Sequence, residues 1–320
     1  MVPRRPDWHD RIGRRLKLRD LHILSAVVAR GSMAQGAKQL GMSQPAVSEA
    51  IASLEATLAV QLLERSARGV EPTIYAQALL KREHVVFDEL KQAIGEIESL
   101  LDPAAGEVRI GCPESMTAAF VPDIIAQLSR KYPRIAVHLL NAQTAEQGFR
   151  ELRERRVDVM IGRVLRPVSD EDINVEVLSK DDFCVVTGSS SPWSRRRSVS
   201  YNDLMEQRWI LFPPESLMAT YIKEALHLKG LPSPKPAVTS FSLHVRMQLL
   251  ADGDYLSIMF GSVFRRHRKR WSLVALPLDL GIPPVPIALF TLRERTLSPT
   301  AVLFINECRR YAKVGSSAGA

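Results

Sequence analysis

GSMAQGAKQLGMSQPAVSEAIASLEATL, residues 31–58, reads as two short helices around a tight turn. Ala34, Ala37 and Leu40 recur at helical spacing on the first. Gly41 breaks it, where a residue free of the Cβ penalty is wanted. Ser43 is placed to N-cap the second helix, and Pro45 fits its first turn, where a missing N–H costs nothing. Val47, Ile51 and Leu54 fall at i, i+4 and i+7 and form one apolar stripe. Gln44, Ala46, Ser48 and Glu49 are left on the outer surface near the start of that helix. In a helix-turn-helix this is the end that meets base edges in the major groove. A hairpin buried in a core would not keep a polar face there.

The set Ser32, Ala37, Leu40, Ser43, Gln44, Pro45, Ala46, Val47, Ser48, Ile51, Leu54 and Glu55 resembles the DNA-binding domain of LysR-type transcriptional regulators. SQPAVS with a following LE at fixed spacing is more specific than a generic helix-turn-helix. The resemblance covers nearly all of residues 16–314, with looser motifs at GEVRIG, RRVDVMIG and RTLSPTAVLFI. It implies a non-enzymatic, sequence-specific regulator whose DNA binding responds to a small-molecule effector. Ser43, Gln44, Pro45 and Ser48 would then lie against the DNA, with Ala46 against a thymine methyl. Lys38, Arg65 and Arg68 would hold phosphates.

The pattern continues on either side. Residues 1–15 form a basic arm, with Arg4, Arg5, Arg11, Arg14 and Arg15 followed by Lys17 and Arg19. Such an arm either tracks a nucleic-acid backbone or is a solvated tail. A first helix fits Leu18 to Ala29 through Leu21, Leu24 and Val28. VQLLERSARGVEPT, residues 60–73, reads as a two-stranded wing with Arg65 and Arg68 at its tip, so the winged domain is placed at 16–72. The chain departs from the family at Leu58-Ala59, where Leu-Gly is usual, at Leu63 in place of Phe, and at Tyr75-Ala76 in place of a Thr-x-x-Gly pattern. These departures bear on the shape of the wing.

Residues 73–102 read as one long helix. Leu80, Phe87, Leu90, Ile94, Ile97 and Leu101 step by threes and fours, interrupted at Glu83. Such a seam wants a partner helix, and a homodimer matches a two-fold operator. The family resemblance adds a dimer of dimers, a homotetramer, and RNA polymerase as a further partner. Pro103 and Gly106 mark a hinge.

Beyond it, strands at 107–111, 135–140 and 157–162 alternate with helices at 120–131 and 145–154, which implies a parallel-type α/β sheet. A second unit is expected from 168, with strands at 173–178, 181–188, 237–241 and 255–260 and helices at 221–229 and 243–251. Residues 285–292 return to the first unit, and 299–311 form a closing helix. The expected fold class is therefore α+β and multidomain. A winged helix-turn-helix and a linker helix precede a two-lobed α/β effector domain at 107–314, similar to periplasmic binding proteins. Lobe I would be 107–167 with 285–314, and lobe II 168–284.

In open α/β sheets ligands sit outside the carboxyl ends of strands, and with two lobes in the cleft between them. The candidate effector residues are Ser115, Met116 and Thr117; Asn141, Gln143 and Thr144; Arg163; Pro214, Glu215 and Ser216; and Ser240 and Phe241. Arg163 suits a carboxylate, or else pairs with an acid at the lobe junction. Glu215 suits a polyol, sugar or amine. Within the family, VDVMIGRV and LKLRDLHIL point to regulators of sugar uptake and of aromatic-acid catabolism, and both effector classes stay open.

Composition agrees with this reading. Hydrophobic content of 46% and charged content of 24% belong to a globular chain. No apolar run reaches the ~18 residues of a membrane span, and the basic N-terminus lacks the apolar core of a signal peptide. A cytoplasmic, nucleoid-associated protein is expected. The net charge of +8 suits a polyanionic partner. Three scattered cysteines, Cys112, Cys184 and Cys308, argue against a disulfide framework and against zinc. Cys112, near the cleft, is either a redox sensor or a small core residue. No H-x-x-x-H pair, Gly-rich phosphate loop or nucleophile elbow supports catalysis, and no cofactor is expected.

Overall fold

The computed structural model describes residues 15–66, 69–102 and 105–317. The arm residues Arg4, Arg5, Arg11 and Arg14, the tip residue Arg68, the side chain of Arg65 and the hinge residue Pro103 lie outside the described residues. The chain divides into two compact units, 1–91 and 92–320.

In the first unit, α1 (Leu18–Arg30), α2 (Met33–Leu40) and α3 (Gln44–Leu58) pack around one core. Leu24, Val27, Val47 and Ile51 are fully enclosed there, and Leu54 nearly so. Ser32 caps α2 by accepting from the Gln35 N–H, and Ser43 caps α3 by accepting from the Ala46 N–H. Gly41 ends α2 in the left-handed region at φ 64°, as its sequence position requires. The wing is an antiparallel pair, β1 (Leu63–Ser66) with β2 (Gly69–Pro72), in which Leu63 faces Pro72. Glu55 explains the LE motif: its Oε1 accepts from both Leu62 N (2.7 Å) and Leu63 N (3.2 Å), tying α3 to the entry of the wing. The Val70 N–H donates to Gly31 O at 2.9 Å and ties the far strand to the turn between α1 and α2. Gly69 has φ +127°, and a Cβ there would lie 2.5 Å from Gly31 O, so the wing closes only on glycine.

Ala59 accounts for one departure from the family. It ends α3 in the left-handed region at φ 54°, a conformation that a Cβ opposes. Ala59→Gly is expected to stabilise this unit by about 1 kcal/mol. Chemical denaturation checks it, and an unchanged midpoint would show that no strain is held there.

Helix α4 (Ile74–Leu101) divides the predicted seam in two. Leu80 and Phe87 pack against the helix-turn-helix core. Ile94, Ile97 and Leu101 are exposed, the last at 83%. The first half of the seam therefore belongs to the protein's own core, and only the second half is free for a partner.

In the second unit, one sheet has the order β4-β3-β5-β12-β6, from β3 (Ala105–Cys112), β4 (Arg134–Asn141), β5 (Val159–Arg163), β6 (Ile173–Asp181) and β12 (Val285–Leu292). The other runs β11-β7-β10-β8-β9, from β7 (Phe183–Gly188), β8 (Trp209–Leu211), β9 (Pro236–Thr239), β10 (Leu256–Phe260) and β11 (Leu273–Ala275). Lobe I adds α5 (Glu114–Thr117), α6 (Val121–Lys131), α7 (Ala145–Arg153) and α11 (Pro299–Ser317). Lobe II adds α8 (Leu217–Leu228), α9 (Leu243–Ala251) and α10 (Gly261–His267).

Two expectations are corrected. The sheets are mixed rather than parallel: β12 runs antiparallel to both β5 and β6, and β7 antiparallel to β10 and β11. The lobe boundary also moves. Sequence places the 173–178 strand in lobe II, but β6 pairs with β12 along its whole length, so lobe I runs to Asp181. A strand's partner is set by the returning chain more than a hundred residues later, which local pattern does not carry. Across the junction, Arg266 Nη1 donates to Asp123 Oδ2 at 2.6 Å, His267 Nε2 lies 2.7 Å from Ala118 O, and Leu243 N donates to Glu114 Oε2 at 3.0 Å.

Candidate functional site

At the start of α3 the outward face is small and polar. Ser43, Gln44 and Pro45 are exposed, and Ala46 and Ser48 half-buried, while Val47 points into the core. The helix N-terminus adds the positive end of the dipole, which suits an anionic surface. Lys38 is exposed at the end of α2. Of the residues predicted to meet DNA, Ser43, Gln44, Pro45, Ala46 and Ser48 thus share the start of α3.

Between the two lobes lies a cavity of about 400 Å³. Of the predicted effector residues, Ser115, Gln143, Thr144, Arg163, Ser216 and Phe241 line it. Met116, Thr117, Asn141, Pro214, Glu215 and Ser240 are not among its lining residues. Met116 is fully buried in the lobe I core. Thr117 Oγ1 donates to Glu114 O, and Asn141 Oδ1 accepts from Gln143 Nε2. Ser240 Oγ accepts from Ser242 N, and Pro214 and Glu215 face solvent. These residues follow strand ends, but helix and turn geometry points their side chains elsewhere.

Two of the lining hydroxyls also cap helices: Thr144 accepts from Gln147 N, and Ser216 from Ala219 N. Ser115 caps no helix: its hydroxyl accepts from Arg163 Nη1 at 2.8 Å. Arg163 also takes the other alternative named for it. Its Nη2 donates to Asp181 Oδ2 at 2.6 Å, and both side chains are almost wholly enclosed, 4% and 1% exposed. Asp181 further accepts from the Ser262 N–H and hydroxyl. Burial pulls the Arg163 guanidinium below its ordinary range, while Asp181 opposes the shift.

Sequence reading missed Arg246, which lines the same cavity from α9. It is 2% exposed, donates from Nη2 to Ser257 Oγ and Ile258 O, both at 2.6 Å, and stacks 4.3 Å from the Phe212 ring. The signal was present: Arg246 falls on the apolar stripe of Leu243, Met247 and Leu250, where a charge is out of place. Phe212, Met160, Phe260 and Phe290 complete the apolar walls.

Cys112 lies in the lobe I core, and burial pushes its thiol up to about 12, so it holds almost no thiolate at neutral pH. The redox alternative for it is not supported. Among the described residues no cluster suits a metal ion, and no helix is long and apolar enough to cross a membrane.

Comparison with known proteins bears on both sites. Residues 18–77 match the model of the bacterial regulatory helix-turn-helix protein, lysR family, and residues 102–313 match the LysR substrate binding domain. The chain belongs to the LysR family of transcriptional regulators.

Among LysR-family relatives, it is 28% identical over 288 residues to the HTH-type transcriptional regulator GbpR of Azospirillum brasilense, covering 90% of this chain and 84% of that one. It is 25% identical over 301 residues to TdcA of Escherichia coli K12, covering 92% and 93%. Among solved structures, full-length CbnR complexed with its target DNA superposes with a TM-score of 0.67 at 21% identity, covering 92% of this chain and all of that one. Full-length BenM gives 0.54 at 24% identity, covering 94% and 98%. This LysR-family protein is therefore a DNA-binding transcription regulator with an effector-binding domain, not an enzyme.

Proposed function

We propose that this regulator reads a two-fold operator with the start of α3 and is switched by a small molecule held between its lobes. Gln44, Pro45 and Ser48 meet base edges, Ala46 meets a thymine methyl, and Ser43 with Lys38, Arg65 and Arg68 meets the backbone. The exposed Ile94, Ile97 and Leu101 edge of α4 supports a homodimer, and two dimers assemble on DNA as a tetramer. The protein acts in the cytoplasm, at the nucleoid, where RNA polymerase is within reach.

The observation that carries the switch is the cavity between the lobes, lined by Ser115, Gln143, Thr144, Arg163, Ser216 and Phe241 among others. A ligand there contacts both lobes at once, so its affinity differs between their relative positions, and that difference is what a switch requires. The test is a thermal-shift screen of the whole protein against sugars and carboxylates, followed by operator binding. A ligand raises the melting temperature by mass action. Ser115→Ala is expected to weaken the ligand response about tenfold by removing one polar contact, with operator binding retained. No shift with either class would favour a constitutive DNA binder.

A further inference from the structure

We infer that the effector is an amphipathic carboxylate, its anionic end held at Arg246 and its apolar body lodged beside Phe149, Met160 and Phe290. The inference rests on reading the cleft as the effector site and names the chemistry that fills it.

Four arginines line the cavity: Arg153 is paired with Asp170 and Asp172, Arg166 is exposed, and Arg163 and Arg246 each keep a buried Nε–H without an acceptor. The last two are brought together by aromatic rings. Arg163 lies 3.4 Å from the Phe260 centroid, Arg246 lies 4.3 Å from that of Phe212, and the two rings are 6.3 Å apart. The Arg163 charge is already balanced by Asp181. Arg246 makes no ion pair among the described residues. Glu114 acts on it only through space, with its Oε2 accepting from the Leu243 N–H. The other acids at the cavity are peripheral: Asp170 is paired with Arg153, and Glu146 is exposed. Burial pushes the Arg246 guanidinium down to about 10, so it stays protonated at neutral pH. A buried cation without a carboxylate is costly, and a planar fork of donors fits a carboxylate best.

Another part of the lining is apolar. The cavity extends under residues 164–170, where Phe149, Met160, Val164, Val168 and Phe290 form an apolar cluster. A polyol would place hydroxyls against these side chains, and each unpaired hydroxyl there is penalised. A ring or branched chain buries apolar surface instead. One charged end and one apolar body match the two halves of the cavity.

The test is calorimetric titration of the full-length protein with butyrate, isovalerate, benzoate and phenylacetate, with their primary amides, and with neutral hexoses. At least one acid is expected to bind, with its amide about tenfold to a hundredfold weaker, as for loss of a charged hydrogen bond. Arg246→Met is expected to abolish that preference for acid over amide, with circular dichroism reporting that the variant is folded. Val164→Asn is expected to weaken the aromatic acids more than butyrate. Should Arg246→Met not fold, the acid–amide comparison in the unaltered chain decides the matter. Acid and amide binding alike would overturn the role of Arg246. Hexose binding with every acid silent would overturn the carboxylate inference and keep the cleft as the effector site. Silence from every probe would overturn both.

Discussion

Asp158→Ala is expected to destabilise lobe I by about 3–5 kcal/mol, the cost of breaking a buried ion pair from one side. Asp158 is 8% exposed and Arg295 is 6% exposed. Oδ1 of Asp158 accepts from Arg295 Nη2 at 2.8 Å, and Oδ2 accepts from the Arg109 N–H at 2.8 Å. Arg295 also donates to Val157 O at 2.7 Å. One carboxylate thus joins β3, the turn before β5 and the segment that follows β12. Alanine removes the charge facing a buried guanidinium and strips the acceptor from a backbone N–H. Asp158→Asn keeps an acceptor without the charge, so it is expected to fall between alanine and the unaltered chain. Urea denaturation of the full chain checks this, read as separate transitions because two units need not unfold together. A loss below about 1 kcal/mol would mean that the pair behaves as a solvated one.

Gln44→Glu is expected to weaken operator binding about a hundredfold while leaving the first unit as stable or slightly more so. Gln44 is the first residue of α3 and is exposed, so the substitution is isosteric and disturbs no packing. An acid in the first turn of a helix is favoured by the dipole, by about 0.3–1 kcal/mol. Against DNA the same charge removes an amide donor and faces phosphates, and like-charge juxtaposition costs several kcal/mol. Stability and affinity therefore move in opposite directions, which separates a DNA-contact residue from a structural one. Electrophoretic mobility shift at fixed salt, paired with thermal denaturation, reads both. Operator affinity unchanged within about twofold would remove Gln44 from the interface, since a base contact is worth about 1–3 kcal/mol.

The DNA-reading unit was legible because its determinants are local. Ser43 caps a helix three residues away, Gly41 takes the left-handed conformation beside it, and Val47, Ile51 and Leu54 share a stripe through helical periodicity alone. Ala59, a departure from the family, is set by equally local geometry, since it ends α3 at φ 54°. The effector domain was legible as alternating strands and helices, and its cleft through strand-end residues such as Ser115, Thr144 and Arg163.

Several decisions needed contacts distant in sequence. Asp181 lies 18 residues from Arg163, and its carboxylate settled which of two roles that arginine takes. β6 joined lobe I through β12. The seam of α4 was divided by which turns meet the helix-turn-helix core. By itself, the sequence determined a DNA-reading helix and a two-lobed binding domain, since caps, stripes and alternation act over a few residues. Tertiary structure alone decided which charges are balanced and left Arg246 facing the cavity, because ion pairing depends on distances that only the folded chain sets.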